Sequence, residues 1–192
     1  MKTMPHPFTR GLSLLVWLLA AAPLPASAWE LQGTKTITAH TRDQQQIPLG
    51  TVDFKPRAGG TVAFTVAMKT AGFTDYFLSM KEFKCLSSPD EIVCHVPYPY
   101  PQPGTITGND FAWLEHSLLF LYKRPSDFGA VLWNGLYFRF ERTDQGLVGR
   151  PQAIDLNQIS SPPADPAVPP YGRALRDDIA PGTRWIESIT IE

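Results

Sequence analysis

Proline and glycine stand at about every sixth position of this chain, nineteen and fourteen in 192 residues. Proline fixes φ and lacks an amide hydrogen, and glycine ends regular elements at little steric cost. Such a sequence favours many short elements joined by turns over long helices. Between the breaks the apolar residues recur mostly with the period of two that belongs to half-buried strands. Thr61–Lys69 puts Val62, Phe64, Val66 and Met68 on one face and Thr61, Ala63, Thr65 and Ala67 on the other. Thr51–Lys55 precedes it across the turn KPRAGG and makes a hairpin partner. Ile47 and Leu49 share one parity and Val52 and Phe54 the other, so a bulge or bend at Gly50 is expected. Thr34–Thr41 reads as a further strand nearer an edge, because its two faces are weakly distinguished.

The two cysteines add a covalent constraint. Tyr76–Ser87 and Glu91–Tyr98 flank Ser88-Pro89-Asp90, a strong turn signal. A hairpin centred between Pro89 and Asp90 sets Cys85 directly opposite Cys94, so a cross-strand disulfide is expected. The rival use of these side chains, a metal site with His95 and His116, lacks paired C-x-x-C or H-x-x-x-H spacing. No metal and no cofactor is expected.

Thr107-Gly108-Asn109-Asp110 resembles a capping box and opens one helix, expected over about 108–123. Phe111, Leu114, Leu118 and Leu121 share a face, and Lys123-Arg124-Pro125 supplies the stop. Asn134-Gly135, between Ala130–Trp133 and Leu136–Glu141, reads as a two-residue hairpin turn. Thr143–Gly146 turns the chain again into Leu147–Leu156. Residues 157–183 hold six prolines and read as a loop with one helical turn around Ala174–Ile179. Trp185, Ile189 and Ile191 then share a parity in a final strand. The expected fold is mainly β, α+β at the margin: an antiparallel β-barrel or β-sandwich of about eight short strands with one covering helix.

Residues 1–28 read as a cleaved secretory signal peptide. Lys2 and Arg10 precede the apolar run Gly11–Ala22, Pro23 and Pro25 follow, and Ala26-Ser27-Ala28 is a small-x-small cleavage pattern. The run is shorter than the ~20 residues of a membrane helix. Residues 29–192 then form a single β-rich domain with no transmembrane segment, in the periplasm or secreted. Of 17 basic residues Lys2 and Arg10 leave with the leader while all 18 acids stay. Neither this balance nor the whole-chain charge of -1 presents a sign-dominated surface to nucleic acid or anionic lipid.

The chain carries no G-x-S-x-G, P-loop, G-x-G-x-x-G or H-E-x-x-H motif. Its most unusual stretch is Cys94-His95-Val96-Pro97-Tyr98-Pro99-Tyr100-Pro101-Gln102-Pro103. Alternating prolines stiffen it into extended or polyproline II geometry, so little entropy is lost when it makes contacts. It serves either as a pocket wall or as a crossover whose rings plug the core. The expected ligand-binding residues are His95, Tyr98 and Tyr100 on this strip, with Tyr137 and Arg139 on a face turned to solvent or ligand. Glu115 and His116 are neighbours on the helix, so their side chains diverge by about 100°. The expected function is an exported binding or accessory module for a small molecule or envelope protein. Two alternatives stand beside it: a structural envelope protein acting through a sheet edge such as the C-terminal strand, and a hydrolase-type enzyme using His95 or His116 with a carboxylate.

Overall fold

The computed structural model describes Met1 and residues 29–76 and 83–192. The leader expected over 1–28 lies, apart from Met1, outside the described residues, as does the middle of the Tyr76–Ser87 strand. The strands in chain order are β1 (Gly33–Thr41), β2 (Gln46–Pro56), β3 (Thr61–Met68), β4 (Thr74–Tyr76), β5 (Phe83–Ser87) and β6 (Ile92–His95). There follow β7 (Thr105–Thr107), a helix α1 (Ala112–His116), β8 (Phe120–Lys123), β9 (Gly135–Arg142), β10 (Leu147–Ile154), β11 (Asp177–Asp178) and β12 (Ile186–Ile191). They form one antiparallel sheet in the order β4-β5-β6-β8-β9-β10-β12-β1-β2-β3-β7, with β11 added to β10. The fold is mainly antiparallel β, and the sheet is curled around a core that draws Ile37, Phe54, Val93, Phe120, Phe138 and Ile189 from strands along its whole width. Twelve strands replace the expected eight among the described residues. Among the unexpected ones, β4, β7 and β11 are two or three residues long and too short to display an alternation, and β8 falls in the stretch expected as helix.

Several local expectations are met. β1 pairs Ile37 with Gly50 and Thr38 with Pro48, which leaves Leu49 as the extra residue of a bulge at the parity switch. At Gly50 the backbone passes so close to β3 that a Cβ would lie 2.2 Å from the Ala67 carbonyl oxygen. Across the β5–β6 hairpin Cys85 pairs with Cys94, and the two are joined in a disulfide. The Ser88 hydroxyl closes that turn by accepting the Glu91 amide at 2.9 Å.

Four expectations are corrected. The helix is confined to Ala112–His116, and Phe120–Lys123 is a strand between β6 and β9. The reason is burial on both faces: Phe120 points into the curled core, while Leu119 and Leu121 join a second apolar cluster on the other side. An unbroken apolar run satisfies a helix face and a doubly buried strand equally well. Asn134-Gly135 makes no hairpin, because Asn134 closes a turn onto Val131 and Gly135 opens β9, whose partner is β8. Gly135 is there for close approach: a Cβ would meet Ile154 Cγ1 at 2.7 Å. β1 is no edge strand but lies between β2 and β12. The C-terminal strand is interior as well: β12 is paired by β1 along its length and by β10 over Ile189–Ile191.

The second cluster places the functional candidates. The outer faces of β6, β8, β9 and β10 are roofed by the Pro–Tyr strip, α1 and the 156–176 segment, through Tyr98, Trp113, Leu156 and Tyr171. The proline-rich segment is pinned there by Tyr171, which is 1% exposed. Its helical turn forms at Arg173–Leu175, and Asp177–Asp178 then pairs with β10. Among the described residues no helix is long and apolar enough to cross a membrane.

Candidate functional site

β8 stops short of β9. Its pairing covers Gly135 and Leu136, and the remainder of β9 on that side is met by α1 instead. Glu115 makes the junction: its Oε1 accepts the Phe140 amide at 2.7 Å and its Oε2 accepts the Tyr137 hydroxyl. A carboxyl group thus stands in for the missing strand. The next residue, His116, leaves the helix about 100° further round, and its ring packs edge-on against Tyr137 at 5.3 Å between centroids. Its Nδ1 bonds the Ala112 carbonyl at 2.6 Å, and its Nε2 accepts the Tyr171 amide at 3.2 Å. This pattern assigns the proton to Nδ1. The ring stacks on Tyr171 at 5.5 Å between centroids.

Between α1, β9 and residues 169–176 lies a cleft of about 300 Å³. Glu115 and Tyr137 form its floor, Tyr171 and Gly172 one wall, and Arg139 and Arg176 its cationic side. The Arg176 guanidinium lies 4.6 Å from the centre of the Tyr137 ring, and its Nε is buried with no hydrogen-bond partner among the described residues. Arg139 is exposed and reaches Glu141 at 3.4 Å. Burial pushes the Glu115 carboxyl above its ordinary value, outweighing the bonds from Tyr137 and Phe140 and the charge of Arg176. Burial, and then the Glu115 charge, also raise the Tyr137 hydroxyl. Burial takes His116 down to about 4, so its imidazole is neutral.

The five expected ligand-binding residues divide between two places. Tyr137 and Arg139 line this cleft, but the expected open face is corrected: Tyr137 is fully buried beneath α1 and Tyr171, and only Arg139 reaches solvent. His95 and Tyr98 line a second cleft, about 280 Å³, between the Pro–Tyr strip and the Phe64–Met68 stretch of β3. His95 bonds the Ser117 carbonyl through Nε2 at 3.1 Å, and burial lowers its pKa. Tyr98 behaves as the plugging ring of a crossover, packed at 5.8 Å on Trp113 and 5.9 Å on His116. Tyr100 is half-buried against Tyr98 at 5.6 Å.

The sequence reading missed Arg176 and Tyr171, which lie in a proline-rich segment without periodicity. Glu115 and His116, adjacent on the helix, give the sequence no sign that both reach Tyr137. Among the described residues both ring nitrogens of His116 are taken by backbone groups, and His95 Nε2 bonds the Ser117 carbonyl, so the bonds of these two rings go to the backbone rather than to a carboxylate. The cysteines of the rival metal site are spent on the disulfide. Compared with protein-family models, curated proteins and solved structures, the chain matches none.

Proposed function

We propose that the chain is an exported binding module, and that it holds a small molecule bearing a carboxylate or phosphate group in the cleft between α1, β9 and residues 169–176. The observation that carries this reading is Arg176, whose buried Nε has no hydrogen-bond partner among the described residues, with Arg139 beside it; the exposed carboxylate on the lining, Asp110, already accepts the Ala112 amide at 3.0 Å. Glu115 spends both oxygens on Tyr137 and Phe140, and its burial favours the neutral form. The guanidinium stacked on Tyr137 is a planar donor held in place before a ligand arrives, which suits an oxyanion. Export is supported by the leader-like residues 1–28 and by the disulfide.

The test is calorimetric titration and thermal shift with a panel of small carboxylates and phosphate esters, alongside neutral analogues. Anionic members should raise the melting temperature, and Arg176→Gln should weaken their binding about tenfold or more, as loss of a charge-assisted contact does. A wild-type protein indifferent to every anion overturns the proposal, and so does binding that Arg176→Gln and Arg139→Gln leave intact.

A further inference from the structure

The connection between β8 and β9, residues 124–134, lies away from the cleft and carries two bare aromatic side chains. Phe128 is fully exposed at 102%, and Trp133 is 69% exposed. The loop that bears them is braced from within. Lys123 Nζ donates to the Asp127 carbonyl and, at 3.2 Å, to the Gly129 carbonyl, on either side of Phe128. Asp127 Oδ2 accepts the Arg124 amide at 2.8 Å. The Asn134 amide closes onto Val131 at 3.0 Å, and the Leu156 amide onto Leu132 at 2.8 Å. These bonds hold the backbone in a form that keeps both rings outward.

Beside the rings lies a polar cleft of about 430 Å³, to which the same loop contributes Arg124, Asp127 and Asn134. Of its arginines, Arg42 is paired with Asp90 and Arg184 with Glu91, while Arg124 is exposed and has no ion pair among the described residues. The loop therefore offers one unpaired cation next to two apolar tips.

We propose that the 124–134 loop is a membrane-interface anchor: Phe128 and Trp133 enter the headgroup and upper acyl region of a bilayer, and Arg124 meets lipid phosphate. A tryptophan ring favours that boundary, and apolar tips flanked by a cation are the chemistry that holds a protein on a membrane surface. A protein partner is less well served, because a stable interface needs roughly 800 Å² from each side. Two projecting rings beside a polar cleft give no such platform. Since the chain as a whole is slightly acidic, insertion of the rings supplies most of the affinity and Arg124 adds a local, salt-sensitive part.

The experiment is co-sedimentation of the protein, purified from the compartment in which it accumulates, with phosphatidylcholine vesicles with and without one quarter phosphatidylglycerol. Tryptophan quenching by brominated lipid is read in parallel. Wild type should sediment with both vesicles, and the double variant Phe128→Ser/Trp133→Ser should lose about tenfold or more in partitioning with an unchanged melt, because both side chains are already in water. Trp133→Phe should keep binding and lose the quenching. Arg124→Gln should remove the preference for phosphatidylglycerol. The proposal is overturned by a wild type that stays in the supernatant, by a double variant that still sediments, or by quenching that survives Trp133→Phe. Crosslinking of the loop to a protein, without vesicle binding, overturns it as well.

Discussion

Glu115 offers the sharpest check on how the helix is fastened to the sheet. Glu115→Ala removes the acceptor of two buried donors, the Phe140 amide and the Tyr137 hydroxyl. Stranding a buried donor costs about 1–3 kcal/mol, so the variant should lose about 2–5 kcal/mol, allowing for partial relaxation. Glu115→Gln behaves differently. Its amide oxygen still accepts from Phe140, and its amide hydrogen can be accepted by the Tyr137 oxygen, so the loss should be about 1 kcal/mol in acid. Because the folded-state pKa lies above the ordinary 4.5, the folded protein binds this proton more tightly than the unfolded chain. The stability that Glu115 contributes is then fully present below 4.5 and is lost as pH rises through the folded-state pKa. The glutamine carries no such dependence. Urea unfolding at several pH values between 4 and 8 should show wild type falling relative to Glu115→Gln as pH rises. A gap that widens in favour of wild type would mean that Arg176 and the two hydrogen bonds outweigh burial. Equal costs for glutamine and alanine would mean that the carboxyl is not a strand surrogate at all.

The remaining predictions rest on other parts of the fold. Replacing both Cys85 and Cys94 with serine releases a loop closed across a sequence separation of nine, and chain entropy sets the loss at about 2.5–3 kcal/mol in denaturant melts; an unchanged midpoint would refute this. Gly50→Ala sets a Cβ against the Ala67 carbonyl and should destabilise by about 2 kcal/mol or more, as overpacking does, whereas a neutral result would mean the β2–β3 approach is looser. His116 has its folded pKa depressed from 6.5 to about 4, so its neutral form is favoured by folding; that stability is present above 6.5 and lost as pH falls toward 4. Its imidazole resonances should stay constant in NMR titrations from pH 8 to 5.5, and a midpoint near 6.5 would place the ring in solvent.

Parts of this architecture are written in short-range sequence, and parts are not. The parity switch around Gly50 and the equal spacing of Cys85 and Cys94 from the point between Pro89 and Asp90 are local facts, and they lead straight to a bulge and a register. Residues 118–121 fail as a guide because all four are apolar, so no polar residue marks which face is which. Gly135 misleads for a related reason: glycine signals both tight turns and tight packing, and only the position of Ile154, nineteen residues on, tells them apart. The candidate site was legible from one side. Tyr137 and Arg139 stand on a recognisable strand, but Arg176 and Tyr171 come from a proline-rich segment that acquires its place only through long-range contacts with β9, β10 and His116.

The position of β12 has a consequence for the order of assembly. β1 acquires its second neighbour only from β12, and His40 and Thr190, which join across that seam, are 150 residues apart in sequence. β12 is also the bridge between β10 and β1, hence between the two arms of the sheet. Until it is delivered, β1–β3 is a meander with β1 unpaired on one side, and it meets the chain that carries the ribbon β5-β6-β8-β9-β10 in the sheet only through the short pairing of β3 with β7. Closure therefore depends on one of the longest loops the chain can form, a topology that folds slowly because its entropy is spent before its contacts are gained. The meander and the ribbon thus wait for residues 186–191, and the seam they close is the last contact that chain entropy allows to form cheaply.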